Sequence, residues 1–176
     1  EPLVLGRIAQ SLDGRIATPS GMSFWISGEP DILHTHRLRA LFDVVVVGAG
    51  TLRGDDPLLT TRHCAGPSPA QAVVDAGRRL SAEYRVFRQG PPTWLICAED
   101  AGGPERHGAA RVLRVARAAD GAGLDPAAML AALAGLGLRR VFVEGGGQTV
   151  SRFLAAGCLD RLHLTLAPLL LGAGVP

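Results

Sequence analysis

A chain of 176 residues, 47% of them hydrophobic, has enough apolar surface for one substantial core, and nothing in it signals a second domain. A formal net charge of +2 with scattered basic residues argues against a nucleic-acid partner, and no apolar run approaches the roughly 20 residues of a membrane span. Cys64, Cys97 and Cys158 are odd in number, far apart and without a C-x-x-C pair, so neither a disulfide framework nor a zinc site is signalled, and a reducing cytoplasm fits best.

In chain order, residues 3–9 read as a first strand, and the polar, glycine-bearing stretch 11–25 reads as an active-site loop. Ser27 is the expected N-cap of a helix reaching about Leu41, with Glu29 and Asp31 in its first turn. Residues 44–47 form a second strand, and Leu58-Leu59, 72–74 and 93–97 read as further strands. Residues 98–107 are expected to be a surface loop, with a strand over 111–115. Asp125 and Pro126 open a helix that Gly137 closes. A strand over 140–144 leads through glycines to a helix over 149–156 closed by Gly157, and 161–166 is the last strand. Strands alternating with helices predict an α/β fold with a mostly parallel sheet, helices on both faces and a ligand crevice at the carboxyl ends of the strands.

Two of those strand ends carry the chemistry. Val47-Gly48-Ala49-Gly50-Thr51 and Glu144-Gly145-Gly146-Gly147-Gln148-Thr149 are each an apolar strand feeding a glycine turn and then a helix. Glycine lets main-chain N–H groups approach an anion, and a helix start adds unpaired donors and the positive end of its dipole. Two such turns on one parallel sheet suit a ligand with phosphates at two places, such as a dinucleotide. Neither has the full G-x-G-x-x-G spacing, and a P-loop needs a lysine that this chain lacks.

Other side chains leave alternatives open. Asp55 and Asp56 point apart in an extended loop, so one can face a ligand while the other braces the turn at Pro57. Glu144 ends an apolar strand where the sheet opens, and there it either forms a structural salt bridge or meets the polar edge of a substrate. Arg37, Arg39 and Arg62 are candidate phosphate forks, though only one of Arg37 and Arg39 can face a given site. His34 and His36 share that geometry and make a poor metal pair, so no metal is expected. Trp25 either stacks on a flat ring or plugs the core.

The segments Ala9-Gln10-Ser11-Leu12-Asp13-Gly14-Arg15-Ile16-Ala17, Ser23-Phe24-Trp25-Ile26, His36-Arg37-Leu38-Arg39-Ala40, Gly50-Thr51-Leu52-Arg53-Gly54-Asp55-Asp56-Pro57-Leu58-Leu59-Thr60-Thr61-Arg62 and Val143-Glu144-Gly145-Gly146-Gly147 together resemble the reductase domain of bacterial riboflavin biosynthesis, over nearly the whole chain. The resemblance implies a dihydrofolate-reductase-like fold, a homodimer, and NADPH-dependent reduction of 5-amino-6-(5-phosphoribosylamino)uracil to a ribitylamino product. It further implies that Ala9, Trp25, Gly50, Thr51, Asp55, Gly145, Gly146, Gly147, Gln148, Thr149 and Arg152 line NADPH. Arg7, Ser23, Arg39, Leu59, Arg62 and Glu144 would line the substrate, with Asp55 and Glu144 in catalytic roles and Asp55 relaying a proton. Arg53 or Arg152 would take the 2′-phosphate of the cofactor.

Two positions depart from the family pattern. Arg7 stands where many members have lysine, and Ala76 where a serine often lies near the cofactor. The family's usual upstream deaminase domain is absent from the sequence, and the last C-terminal strands are expected to be missing. The alternatives are an NADPH reductase of another pteridine, pyrimidine or small carbonyl compound, or a non-catalytic nucleotide-binding paralogue.

Overall fold

The computed structural model describes residues 1–19 and 28–175. Its strands are β1 (Leu3–Ser11), β2 (Val44–Gly48), β3 (Ala70–Val74), β4 (Thr93–Ala98), β5 (Arg106–His107), β6 (Ala110–Val115), β7 (Arg140–Glu144) and β8 (Arg161–Ala167). They form one sheet in the order β5-β6-β4-β3-β2-β7-β1-β8, parallel throughout except for the short antiparallel β5 edge. From β2 the chain winds outward through β3, β4 and β6, and β7 then returns to the other side of β2. That reversal leaves a crevice at the carboxyl ends of β2 and β7, the usual ligand position in an open parallel sheet.

The valine run of β2 is fully buried, as a β-branched strand covered on both faces must be. Val45 and Val47 pack with Phe142, Leu95 and Leu5 under α1 (Glu29–Leu41) and α2 (Ala49–Asp55). Val44 and Val46 face the other way, with Val141, Val143 and Ile96, beneath α3 (Pro126–Gly135) and α4 (Gly147–Ala155). The helices therefore lie on both faces, as the strand–helix alternation predicts.

Local chemistry explains most boundaries. Asp125 caps α3 by accepting the Ala127 N–H at 2.9 Å, with Pro126 in the first turn. Gly28, not Ser27, is the N-cap of α1, and Ser27 lies outside the described residues. Leu58-Leu59 forms no strand. The Leu58 carbonyl is taken by the Gln71 side-chain amide at 2.7 Å, and Leu59 adopts φ 54, which no strand admits. The end of the expected 98–107 loop pairs as β5, and a 3-10 turn over Arg85–Phe87 has no signal in the sequence. At the far edge, Leu162, Leu164 and Leu166 of β8 are exposed at alternate positions.

Candidate active site

β2 and β7 are hydrogen-bonded neighbours with Val44 opposite Val141 and Val46 opposite Val143, so their glycine turns leave the sheet from adjacent strand ends, and a methyl group built on Gly146 would lie 3.1 Å from Thr51 Oγ1. The two glycine turns predicted from the sequence thus meet at one point. Gly145 and Gly146 have φ of 71 and 74, where only glycine sits without strain. α4 starts at Gly147 with no side-chain cap, and α2 starts after Gly48 likewise uncapped. Among the described residues their first N–H groups have no side-chain partner, and both turns open into a cleft of about 970 Å³, near the upper end for small-molecule sites.

Of the residues assigned to a cofactor, Gly50, Thr51, Gly146, Gly147, Gln148, Thr149 and Arg152 line this cleft. Gly145 lies just before the lining turn, and Asp55 ends α2 at the surface, outside the lining set. Ala9 does not line it either. Strand alternation turns Ala9 to the same side as Arg7, while Ile8 and Gln10 face the cleft in its place. Trp25 and Ser23 lie outside the described residues. The cleft is completed by Gly14, Ile16, Leu124, Met129 and Val175, apolar or small residues whose role has no motif to announce it. Ala76 and Arg53 also line it.

The cleft fits a phosphate-bearing dinucleotide. A methyl group built on Gly147 would lie 2.7 Å from Ile16 Cδ1, and one on Gly146 would lie 3.1 Å from Thr51 Oγ1, so a side chain at either position would crowd its neighbours beside the α4 start. Anions are favoured there by the helix dipole and the open donors.

Directly before this cradle, Glu144 is held by the buried Arg39 of α1. Arg39 Nε donates to Glu144 Oε2 at 2.7 Å, Arg39 Nη2 donates to Oε1, and Arg39 Nη1 donates to the Thr60 carbonyl at 3.0 Å. The salt-bridge reading of Glu144 is therefore correct as far as contacts go. Arg7, its neighbour in register on β1, pairs with Asp31 of α1, and Asp31 also accepts the Thr165 hydroxyl at 2.8 Å. Arg7 is thus a buried structural cation, and its Nε and the Thr61 hydroxyl are buried polar atoms with no hydrogen-bond partner among the described residues. Each costs about 1–3 kcal/mol unless a ligand or water meets it.

Arg62 differs from the other arginines assigned to the substrate, because it makes no ion pair among the described residues. Partial desolvation, then the charges of Arg39 and Arg85, lower its pKa against the pull of Glu144. Its main-chain N–H donates to Nδ1 of the buried His36 at 3.1 Å. Burial first, then Arg39, Arg62 and His63, hold His36 at about 4, so it is a neutral acceptor at ordinary pH. Leu59 is corrected: at 1% exposure its side chain belongs to the core, leaving only its main chain for a substrate. Asp56 accepts the Arg85 N–H at 3.0 Å, while Asp55 does not line the cleft.

Among the described residues no group of three or more His, Cys, Asp or Glu is placed to hold a metal, and no helix is long and apolar enough to cross a membrane.

Known proteins resemble the chain over its whole length. It is 34% identical over 174 residues to a 2,5-diamino-6-ribosylamino-4(3H)-pyrimidinone 5′-phosphate reductase of Methanothermobacter thermautotrophicus, covering 97% of this chain and 80% of that protein. It is 34% identical over 175 residues to the riboflavin biosynthesis protein RibD of Bacillus amyloliquefaciens, of which it spans only 47%. A solved deaminase/5-amino-6-(5-phosphoribosylamino)uracil reductase of Thermotoga maritima superposes with a TM-score of 0.81 at 28% identity, over 99% of this chain and 47% of that one. These neighbours have the dihydrofolate-reductase-like architecture that the sequence motifs imply. The chain belongs to the RibD C-terminal domain family, whose model matches residues 2–176.

Proposed function

We propose that the chain reduces 5-amino-6-(5-phosphoribosylamino)uracil to its ribitylamino product with NADPH, in riboflavin biosynthesis. The observation that carries this reading is an adjacency. Glu144 and its Arg39 partner immediately precede the Gly145–Gly147 turn, so a pyrimidine site and a dinucleotide cleft adjoin at the end of one strand.

The dinucleotide supplies a hydride when bound, and the protein's task is to hold the acceptor carbon against it and exclude water. Arg39 uses three of its five N–H groups on Glu144 and Thr60, which leaves donors for a substrate, and the Glu144 carboxylate keeps lone pairs beyond those that Arg39 takes. The pair then reads the donor and acceptor edge of the ring as one preorganised unit. Arg62 offers a fork to the ribose phosphate. Asp55, exposed at the end of α2, is the proposed relay for the proton that the imine nitrogen needs, and the main chain at Leu59 is the part of that residue left for the substrate. Arg53 and Arg152 both line the cleft and are the candidates for the 2′-phosphate, hence for NADPH over NADH. With Cys64, Cys97 and Cys158 all unpaired, the compartment implied is the cytoplasm, and a second copy of the chain is the expected partner.

A second reading has its own support. The relative of which this chain spans 80% is named for the 2,5-diamino pyrimidinone phosphate, which carries an amino group where the uracil carries an oxygen. Purified protein would be given each pyrimidine in turn, with NADPH and NADH in parallel. Oxidation dependent on the uracil compound with NADPH supports the first reading, and oxidation with the diamino compound alone supports the second. Tight NADPH binding without turnover of either would sink both and point to another carbonyl or imine substrate. Light scattering at micromolar concentration tests the dimer, which a monomeric mass would exclude.

A further inference from the structure

Residues 169–175 are fastened to the turn that follows β1 by a carboxylate. Asp13 Oδ1 accepts from the Ser11 hydroxyl at 2.5 Å and from the Leu171 N–H at 3.1 Å, and Oδ2 accepts from the Gly172 N–H at 2.7 Å. Arg15 Nε donates to the Gly172 carbonyl at 3.1 Å, gripping the next peptide from the other side. Main-chain bonds extend the contact from both ends: Leu12 N–H to Leu169 O at 2.9 Å, Ile16 N–H to Val175 O at 2.8 Å, and Val175 N–H to Ala17 O at 2.8 Å. The Ser11 hydroxyl, then the Leu171 N–H and after them the Gly172 N–H, hold the Asp13 carboxyl at about 2 against the opposing effect of desolvation, so it is ionised at any working pH.

The fastening bears on the cleft. Gly14 and Ile16 on one side of the clasp and Val175 on the other all line it. Ile16 abuts the first residue of α4, since a methyl group on Gly147 would stand 2.7 Å from Ile16 Cδ1. The clasp therefore sets how an apolar wall stands beside the open N–H groups at the α4 start. Val175 is 41% exposed, so this apolar wall excludes water only once a ligand covers it, and it then lowers the local dielectric and strengthens the contacts those groups make with an anion.

We propose that Asp13 is a positioning residue for the dinucleotide: by clamping residues 171–172 it holds Ile16 and Val175 as the water-excluding wall of the phosphate cradle. The proposal rests on reading the cleft as a dinucleotide site. Asp13→Asn keeps the shape and one acceptor oxygen but sets an amide NH₂ against a main-chain N–H, while Asp13→Ala removes all three bonds.

In steady-state kinetics on the full chain, Asp13→Ala should raise the KM for NADPH about tenfold, the size expected when charge-assisted hydrogen bonds are lost. Asp13→Asn should raise it less, and kcat and the KM for the pyrimidine should stay within about twofold. Amide hydrogen exchange should show lost protection at Ile16, Leu171, Gly172 and Val175, with β2 and β7 unchanged. Arg15→Met, which weakens the clasp from its other side, should act in the same direction and serves if Asp13→Ala does not fold.

Lost protection with an unchanged KM for NADPH would overturn the proposal, because the clasp would then serve stability alone. Retained protection in both Asp13 variants would overturn it as well. If the unaltered protein binds neither NADPH nor NADH, the dinucleotide reading itself fails. A wild type that binds normally beside variants that match it refutes only the clasp.

Discussion

The backbone of Gly48 at the end of β2 lies so close to the Thr149 hydroxyl of α4 that a methyl group built on Gly48 would collide with Oγ1. The two glycine turns are thus interlocked, and the spacing of the phosphate cradle depends on the missing side chain at one position and the hydroxyl at the other. Gly48 has φ of −84, an ordinary value, so the demand for glycine is steric rather than conformational.

Gly48→Ala is therefore expected to push α4 away from β2, costing about 1–3 kcal/mol of stability and weakening dinucleotide binding by at least about tenfold. Because the clash is with one oxygen, Thr149→Ala in the same chain should restore most of the loss. A double-mutant cycle by dinucleotide titration and chemical denaturation checks this. Additive effects would show that the contact is not the cause.

Glu144→Gln retains one acceptor for Arg39 but removes the charge that balances a buried guanidinium. The expected result is a stability loss of about 1–3 kcal/mol, unchanged dinucleotide binding, and turnover reduced by at least about tenfold. Weak cofactor binding with normal turnover at saturation would contradict a substrate role for this carboxylate.

Arg62→Ala should behave differently from any change at Arg7 or Arg39. Arg62 is exposed and without an ion-pair partner among the described residues, so stability should move by no more than about 0.5 kcal/mol. The KM for the phosphorylated pyrimidine should rise about 10- to 100-fold, with a salt dependence that the variant loses. An unchanged KM would remove Arg62 from the phosphate site.

His36 makes stability fall with acidity. The unfolded imidazole takes up its proton near the ordinary 6.5, whereas the folded one resists until about 4. Between those values the unfolded state binds more protons, so stability declines as pH drops through the window and the decline is complete near pH 4. His36→Asn offers an uncharged acceptor to the Arg62 N–H. Denaturation midpoints measured from pH 7 to 4.5 should slope less in this variant, by up to about one proton. Identical slopes would mean that His36 does not titrate in the way its surroundings require.

What the sequence determined by itself is local and periodic. The valine run of β2, the Asp125-Pro126 start of α3, and the glycines after β2 and β7 carry their conformations in their own chemistry, and all appear where the pattern predicts them. The two glycine turns that line the cleft were legible for the same reason, since glycine turns after apolar strands are contiguous motifs. Tertiary structure alone decided the partners. Arg39 and Glu144 are 105 residues apart, and Arg7 meets Asp31 only because α1 packs across β1. No spacing rule distinguishes those two arginines from Arg62, which stays unpaired among the described residues. Leu59 reads as strand because apolarity is local, yet its left-handed φ is imposed by surroundings that bury its side chain. Asp13 shows the same limit: its neighbours in sequence mark a turn, while its ligands at Leu171 and Gly172 come from the opposite end of the chain. Charges find their counterparts through space, and the order of strands in the sheet sets which ones they meet.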